Sequence, residues 1–280
     1  KDQLPKNVSV NPADKTLEWE VTFAKSVLNF AHERGYRGKI ALPNWRYKAQ
    51  NRIVRPAFSL VEYRHLYKTM RKWITETKNT KWRYTRELVR DYVLLLANSG
   101  MRVGEANNLR ESDIVEFVDD MGRKNYMFMV KGKTGRRAVI PRANAARYVE
   151  RTLERNAKWK EHWDKAETKS KRKANSLRTE GYEDVHETGD WLFRMVDGKR
   201  VITLIDQFKA VLKASGLEEN RYGEQYTLYS LRHFYAVQML RKGKASVFDI
   251  ARNMGTSVQI IESYYGKDAT PVALATKLGS

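Results

Sequence analysis

"TRELVRDYVLLLANSGMRVGEANNLRESDI", residues 85–114, reads as a helix that stops at a glycine and turns at once into a second, shorter helix. Leu88, Tyr92, Leu95 and Leu96 recur at helical spacing and form a buried face, and Gly100 ends the helix. Arg102 then stands at the start of a short helix over 103–110. An arginine there combines a bidentate fork with free backbone N–H groups, a pairing that suits a phosphate. The competing reading is an ordinary surface arginine.

Downstream the period changes. "KNYMFMVKGKTGRRAVIP", 124–141, holds two β-rich runs, 125–130 and 136–140, around "KGKTG", a hairpin or short meander. Lys133 in that turn is either a solvated lysine or one reaching a reacting group as a general acid. Residues 142–163 are helical, and 164–190 are charged and weakly periodic, read as a mobile insertion or a flap touching DNA. Helices follow near 203–215, 231–242, 247–254 and 257–265. Ser230 reads as the N-cap that puts Arg232 in a first turn, again aimed like a phosphate ligand. Leu231, Phe234, Tyr235 and Leu240 pack that helix, and His233 is a supporting or surface group. Ser246 with Asp249, and Thr256 with Gln259, make two capping boxes around Gly255. The fold class is mainly α with a small antiparallel β-sheet, that is α+β.

Upstream, Ser59 and Glu62 form a capping box for the helix that follows. Residues 17–34 carry Trp19, Phe23, Val27 and Phe30 or Ala31 at helical spacing, ended by Gly35, and 36–57 read as a linker. One helix cannot bury a core alone. Residues 1–52 are therefore expected to be the C-terminal remnant of a helical domain plus linker, with the main body at 53–267 and a tail at 268–280. The chain begins at Lys1 rather than Met, so a fragment or processed product is expected.

The formal net charge of +20 over 280 residues implies a polyanionic partner, and nucleic acid is the usual one. The mean hydropathy of −0.68 and the lack of a long apolar run give no membrane span. There is no cysteine, so disulfides, thiolate zinc and a cysteine nucleophile are excluded. His32, His65, His162, His186 and His233 are scattered, none spaced i,i+3 or i,i+4, so no metal or cofactor is expected. Two arginines, a hairpin lysine and a helix-borne tyrosine, in that order on a basic chain, fit phosphoryl transfer to a phenol. Helical periodicity does not choose between Tyr264 and Tyr265.

These segments resemble the tyrosine recombinases, the phage-integrase family, over roughly residues 55–267. "SGMRVGEANNL" is similar to the first arginine box, with Arg102 as the arginine and Glu105 as the buttressing acid. "GKTGRRAVIP" resembles the lysine hairpin, with Lys133 eight residues before Pro141, and "YSLRHFYA" the second box, with Arg232. "MGTSVQIIESYYG" resembles the last box, whose nucleophile lies nine residues after a histidine; that count selects Tyr265 and leaves Tyr264 as a packing aromatic. Tyr229 and Thr256 stand where the family usually has histidines.

The resemblance implies a metal- and ATP-independent recombinase of double-stranded DNA, acting through 3′-phosphotyrosyl intermediates in a synaptic homotetramer. It further implies phage or mobile-element integration or excision in the cytoplasm of a bacterial host, close to the nucleoid, and a tail that docks on a neighbouring protomer. The competing readings are a type IB topoisomerase-like enzyme and a catalytically impaired DNA-binding relative.

Overall fold

The computed structural model describes residues 14–38, 55–132, 135–176 and 189–265; of 166–176 and 263–265 it describes the backbone only. The chain divides into two compact units, Lys1–Val54 and Arg55–Ser280. In the first, helix α1 spans Asp14–Glu33 and buries none of its residues. Its Trp19, Phe23, Val27 and Phe30 share one exposed stripe.

The second unit is built around α3 (Thr80–Ser99), which begins earlier than the sequence pattern suggests because Asn79 caps it, its Oδ1 accepting from the N–H groups of Lys81 and Trp82. Its C-terminal half is buried on all sides, and a helix so placed must be packed from every direction. Helix α2 (Leu60–Thr75), α5 (Ala146–Ser176), α6 (Ile205–Ser215) and α7 (Leu228–Lys242) pack against it or against each other. The Ser59–Glu62 capping box expected of α2 is present. Tyr92, Phe128, Phe193, Phe208 and Phe234 are fully buried between these elements. Helix α5 continues to Ser176, well past the expected end at 163, while residues 177–188 lie outside the described residues.

The sheet is an antiparallel meander of three strands: β1 (Ile114–Val118), β2 (Lys124–Gly132) and β3 (Gly135–Val139), with β2 in the centre. Ile114 pairs with Phe128, Phe128 with Val139, and Gly132 with Gly135. Strand β1 was not expected from the sequence. Asp119 folds the connection back, accepting from the N–H groups of Met121 and Arg123. A short helix α4 (Val103–Asn107) links α3 to the sheet.

Two helix boundaries differ from the sequence reading. Thr227, not Ser230, is the N-cap of α7; the Ser230 hydroxyl accepts from the Thr227 N–H at 3.1 Å. Arg232 therefore lies beyond the first turn. Helix α8 (Val247–Met254) has the expected Ser246–Asp249 box and ends at Gly255. For α9 (Val258–Tyr265) the cap is Ser257, whose Oγ accepts from Ile260 N–H, rather than Thr256. The Thr256 N–H instead closes the end of α8 on the Ala251 carbonyl at 3.0 Å, a Schellman turn.

Gly100 closes α3 in the left-handed region (φ 67°), and a Cβ there would enter the Tyr235 ring. Gly100→Ala is expected to cost roughly 2–5 kcal/mol, adding left-handed strain to overpacking, as read from the urea midpoint.

Candidate active site

The turn between α3 and α4 gathers the site. Arg102 is the N-cap of α4, and its backbone N–H donates to Glu105 Oε2 at 2.8 Å. Its Nη1 donates to Glu105 Oε1 at 2.9 Å and its Nη2 to the Gly255 carbonyl. Arg232, from the far side of the sequence, donates through Nη1 to the Gly100 carbonyl and is buried. Both arginines singled out in the sequence thus close on one turn, 100–102, with Glu105 as the expected buttress. That carboxylate is almost fully buried, as a charge can be only when it is paired.

A third arginine, not expected, completes the bracket. Arg137 Nη2 donates to Glu105 Oε2 at 2.6 Å and Nη1 to the Asn253 carbonyl at 2.5 Å. It passes beneath Gly255, where a Cβ would collide with its side chain. Asn253 ties the same corner together: Oδ1 accepts from Ile140 N–H at 2.7 Å, and Nδ2 donates to the Tyr235 hydroxyl at 2.9 Å. Two guanidiniums, those of Arg102 and Arg137, thereby clasp one carboxylate, and a third, that of Arg232, closes on the adjoining turn through the Gly100 carbonyl. The excess positive charge, in a partly desolvated corner, is the electrostatic condition for holding an anion.

The hairpin arrives at the same place. Gly132, the last residue of β2, lies against the buttress; a Cβ there would sit 2.8 Å from Glu105 Oε1. Lys133 itself is outside the described residues. Thr256 follows the Gly255 carbonyl that receives Arg102 and is half-buried. Helix α9 is seated by Ile261, buried in a small cluster with Tyr235, Ile250, Ala251 and Met254. The helix runs to Tyr265, whose side chain, like that of Tyr264, is outside the described residues.

Tyr229 and His233 form a neighbouring group one turn apart on α7. Their rings meet edge to face at 4.9 Å, and the Arg55 guanidinium lies 5.2 Å over Tyr229. His233 is buried. Burial, then the charges of Arg232 and Arg55, lower its imidazole to about 4, so it is neutral at pH 7. The unfolded chain protonates His233 near pH 6.5 and the folded one only near 4, so this group removes stability as pH falls through that window. His233→Gln should flatten the acid limb by up to about 1.4 kcal/mol per pH unit, measured by urea unfolding between pH 6.5 and 4.

Among the described residues no group of three or more His, Cys, Asp or Glu side chains is placed to hold a metal, and no helix is long and apolar enough to cross a membrane.

The model of the phage integrase family matches residues 61–269, most of the chain and every element of this corner. The chain belongs to the phage integrase family. No curated protein matches its sequence. Among solved structures it is similar to the XerH site-specific recombinase bound to palindromic difH substrate in a post-cleavage complex, with a TM-score of 0.56, 17% identity, and 86% of this chain aligned to 57% of that one. It is also similar to the Tn1549 transposon integrase in complex with circular intermediate DNA, with a TM-score of 0.59, 14% identity and coverage of 95% and 79%. A lambda integrase dimer bound to a COC′ core site gives a TM-score of 0.53, 15% identity and coverage of 94% and 82%. At these identities the likeness is one of fold: a mostly helical body with a three-stranded antiparallel sheet, that of the tyrosine recombinase catalytic domain. The chain spans 57% of the XerH chain it matches.

Proposed function

We propose that this phage integrase family member is a site-specific DNA recombinase that cleaves and rejoins duplex DNA through a 3′-phosphotyrosyl intermediate. The observation that carries the reading is the convergence of Arg102 and Arg232 on the 100–102 turn, braced by Glu105. In the proposed reaction the Tyr265 phenol oxygen attacks the scissile phosphorus and the bond to the 5′ oxygen breaks. Arg102 and Arg232 hold the charge that grows on the pentacoordinate phosphate. Lys133 gives its proton to the leaving 5′ oxygen, and the phenol proton passes to solvent or a neighbouring base. A free 5′ hydroxyl reverses the step on another strand. One ester replaces another, so no ATP or metal is required by the bond changes.

Tyr229 and Thr256 take the places where the family usually has histidines, and each has a hydroxyl that can donate a hydrogen bond to the phosphate. Neutral His233 packs against the Tyr229 ring and steadies it. The net charge of +20 supports a DNA partner, as do the DNA-bound recombinases whose fold it shares. In this reading the working form is a synaptic homotetramer acting in integration or excision of a mobile element, with residues 268–280 reaching a neighbouring protomer.

The test is covalent trapping on nicked suicide duplexes carrying candidate core sites. The wild type and Tyr264→Phe are expected to form a 3′-linked adduct, and Tyr265→Phe none. An adduct with Tyr265→Phe would move the nucleophile elsewhere, adducts on arbitrary sequence with relaxation of supercoils would make the enzyme a topoisomerase, and binding without any adduct would leave a DNA-binding relative.

A further inference from the structure

A second basic feature lies on another side of α7. A cleft of about 380 Å³ opens between α2, α7 and the segment after β3. Four cations line it, Arg64, Arg142, Arg147 and Lys242, and no carboxylate does. Its floor includes the buried residues Asn98, Tyr148, Phe234 and Gln238. Phe234, Gln238 and Lys242 recur every four residues and make one stripe of α7, whereas Arg232 reaches Gly100 from a different stripe. The cleft is therefore not part of the arginine corner described above.

Two features suit this cleft to a polar, anionic ligand. Gln238 Nε2 and Asn98 Oδ1, both in the lining, are buried with no hydrogen-bond partner, and buried polar atoms are paired as a rule. The charge of the lining is of one sign. The Arg142 guanidinium first, then burial and Lys244, lower the Lys242 ammonium below its usual value. A cleft lined by one sign of charge concentrates counter-ions.

We infer that this cleft is a second anion site, which takes a phosphate group between Arg142 and Lys242 with the Gln238 amide as a hydrogen-bond donor. Asn98 Oδ1 accepts from a hydroxyl or water held beside that group. The volume admits a phosphate with its ester substituent. Two sources share this chemistry, a free phosphate compound and a backbone phosphate of DNA.

The experiment compares the wild type with Arg142→Gln/Lys242→Gln, both cleft residues, and with Lys209→Gln/Lys213→Gln, an equal loss of charge on α6 outside the cleft. Each is titrated with inorganic phosphate and pyrophosphate at constant ionic strength, followed by thermal unfolding and calorimetry. Duplex binding is then measured against salt. The cleft variant is expected to stay folded by circular dichroism. A free compound as the source predicts at least about a ten-fold loss of phosphate or pyrophosphate affinity in the cleft variant alone, with the salt slope matching the charge control. A DNA phosphate predicts a salt slope smaller in magnitude by about one or more in the cleft variant than in the control. Equal anion responses and equal slopes in cleft variant and control, including no anion response in any protein, overturn the proposal.

Discussion

Arg232→Ala is expected to lower single-turnover cleavage of a suicide duplex by about a thousandfold or more, because in the proposed reaction it removes the cation that holds the charge developing on phosphorus. The geometry makes this the most sensitive position of the corner. Arg232 is almost fully buried, and its guanidinium is fixed on the Gly100 carbonyl rather than waving in solvent. Desolvation strengthens its interaction with an anion and also makes truncation risky for folding. Arg232→Lys addresses that risk. It keeps the charge and most of the packing but loses the planar fork. Cleavage by the lysine variant should stay at least about a hundredfold down while its urea midpoint stays close to wild type. If Arg232→Lys cleaves at the wild-type rate, fork geometry at this position is irrelevant and the assignment fails.

The same residue shows how far the sequence could be read. The sequence marks Arg232 as a candidate phosphate ligand, but its setting is not written there. Ser230 and Thr227 are both acceptable caps by residue type, and only the extended backbone of Thr227 and the hydrogen bond from its N–H to Ser230 Oγ show that Thr227 begins the helix. That shift places Arg232 beyond the first turn, against a carbonyl far away in sequence, which no local pattern encodes. The capping boxes at Ser59 and Ser246 were legible because each is complete within four residues. Strand β1 was missed because the exposure along it does not alternate, so the period of two was absent. The continuation of α5 to Ser176 was hidden by its charged composition.

Arg137 was missed although a signal existed. Period two along β3 puts it on the face of Val139, which is fully buried, and a charged residue on an inward strand face needs a partner. Its partner, Glu105, had already been singled out as the brace for Arg102. One carboxylate thus joins the α3–α4 turn to the hairpin, and Arg137 carries the link on to the end of α8. The order of motifs along the chain was readable; the brace between them depends on the tertiary fold.

The largest stability effect is expected away from this corner, at Asp91 in the middle of α3. The carboxylate is fully buried. It accepts from Arg90 Nε at 3.0 Å, Arg151 Nε at 2.8 Å and Arg155 Nη1 at 2.7 Å. Burial alone would raise its pKa; the hydrogen bonds of Arg90 and Arg151 and the charge of Arg155 outweigh it and hold the group below the usual carboxylate range. Arg155 is itself buried, and its Nε and Nη2 have no hydrogen-bond partner, so Asp91 is its main compensation. Asp91→Ala should therefore cost about 3–5 kcal/mol, the penalty of leaving a buried guanidinium unanswered, read as a lower urea midpoint at unchanged slope. Because the native carboxylate is depressed, its contribution is full at neutral pH and fades as pH falls below about 4, so the gap between wild type and variant should narrow in acid. Asp91→Leu/Arg155→Met removes both charges at once and should recover much of the loss, since replacing a buried pair with packed apolar groups is often close to neutral. If the double variant is no more stable than Asp91→Ala, the cost comes from lost packing rather than from an orphaned charge.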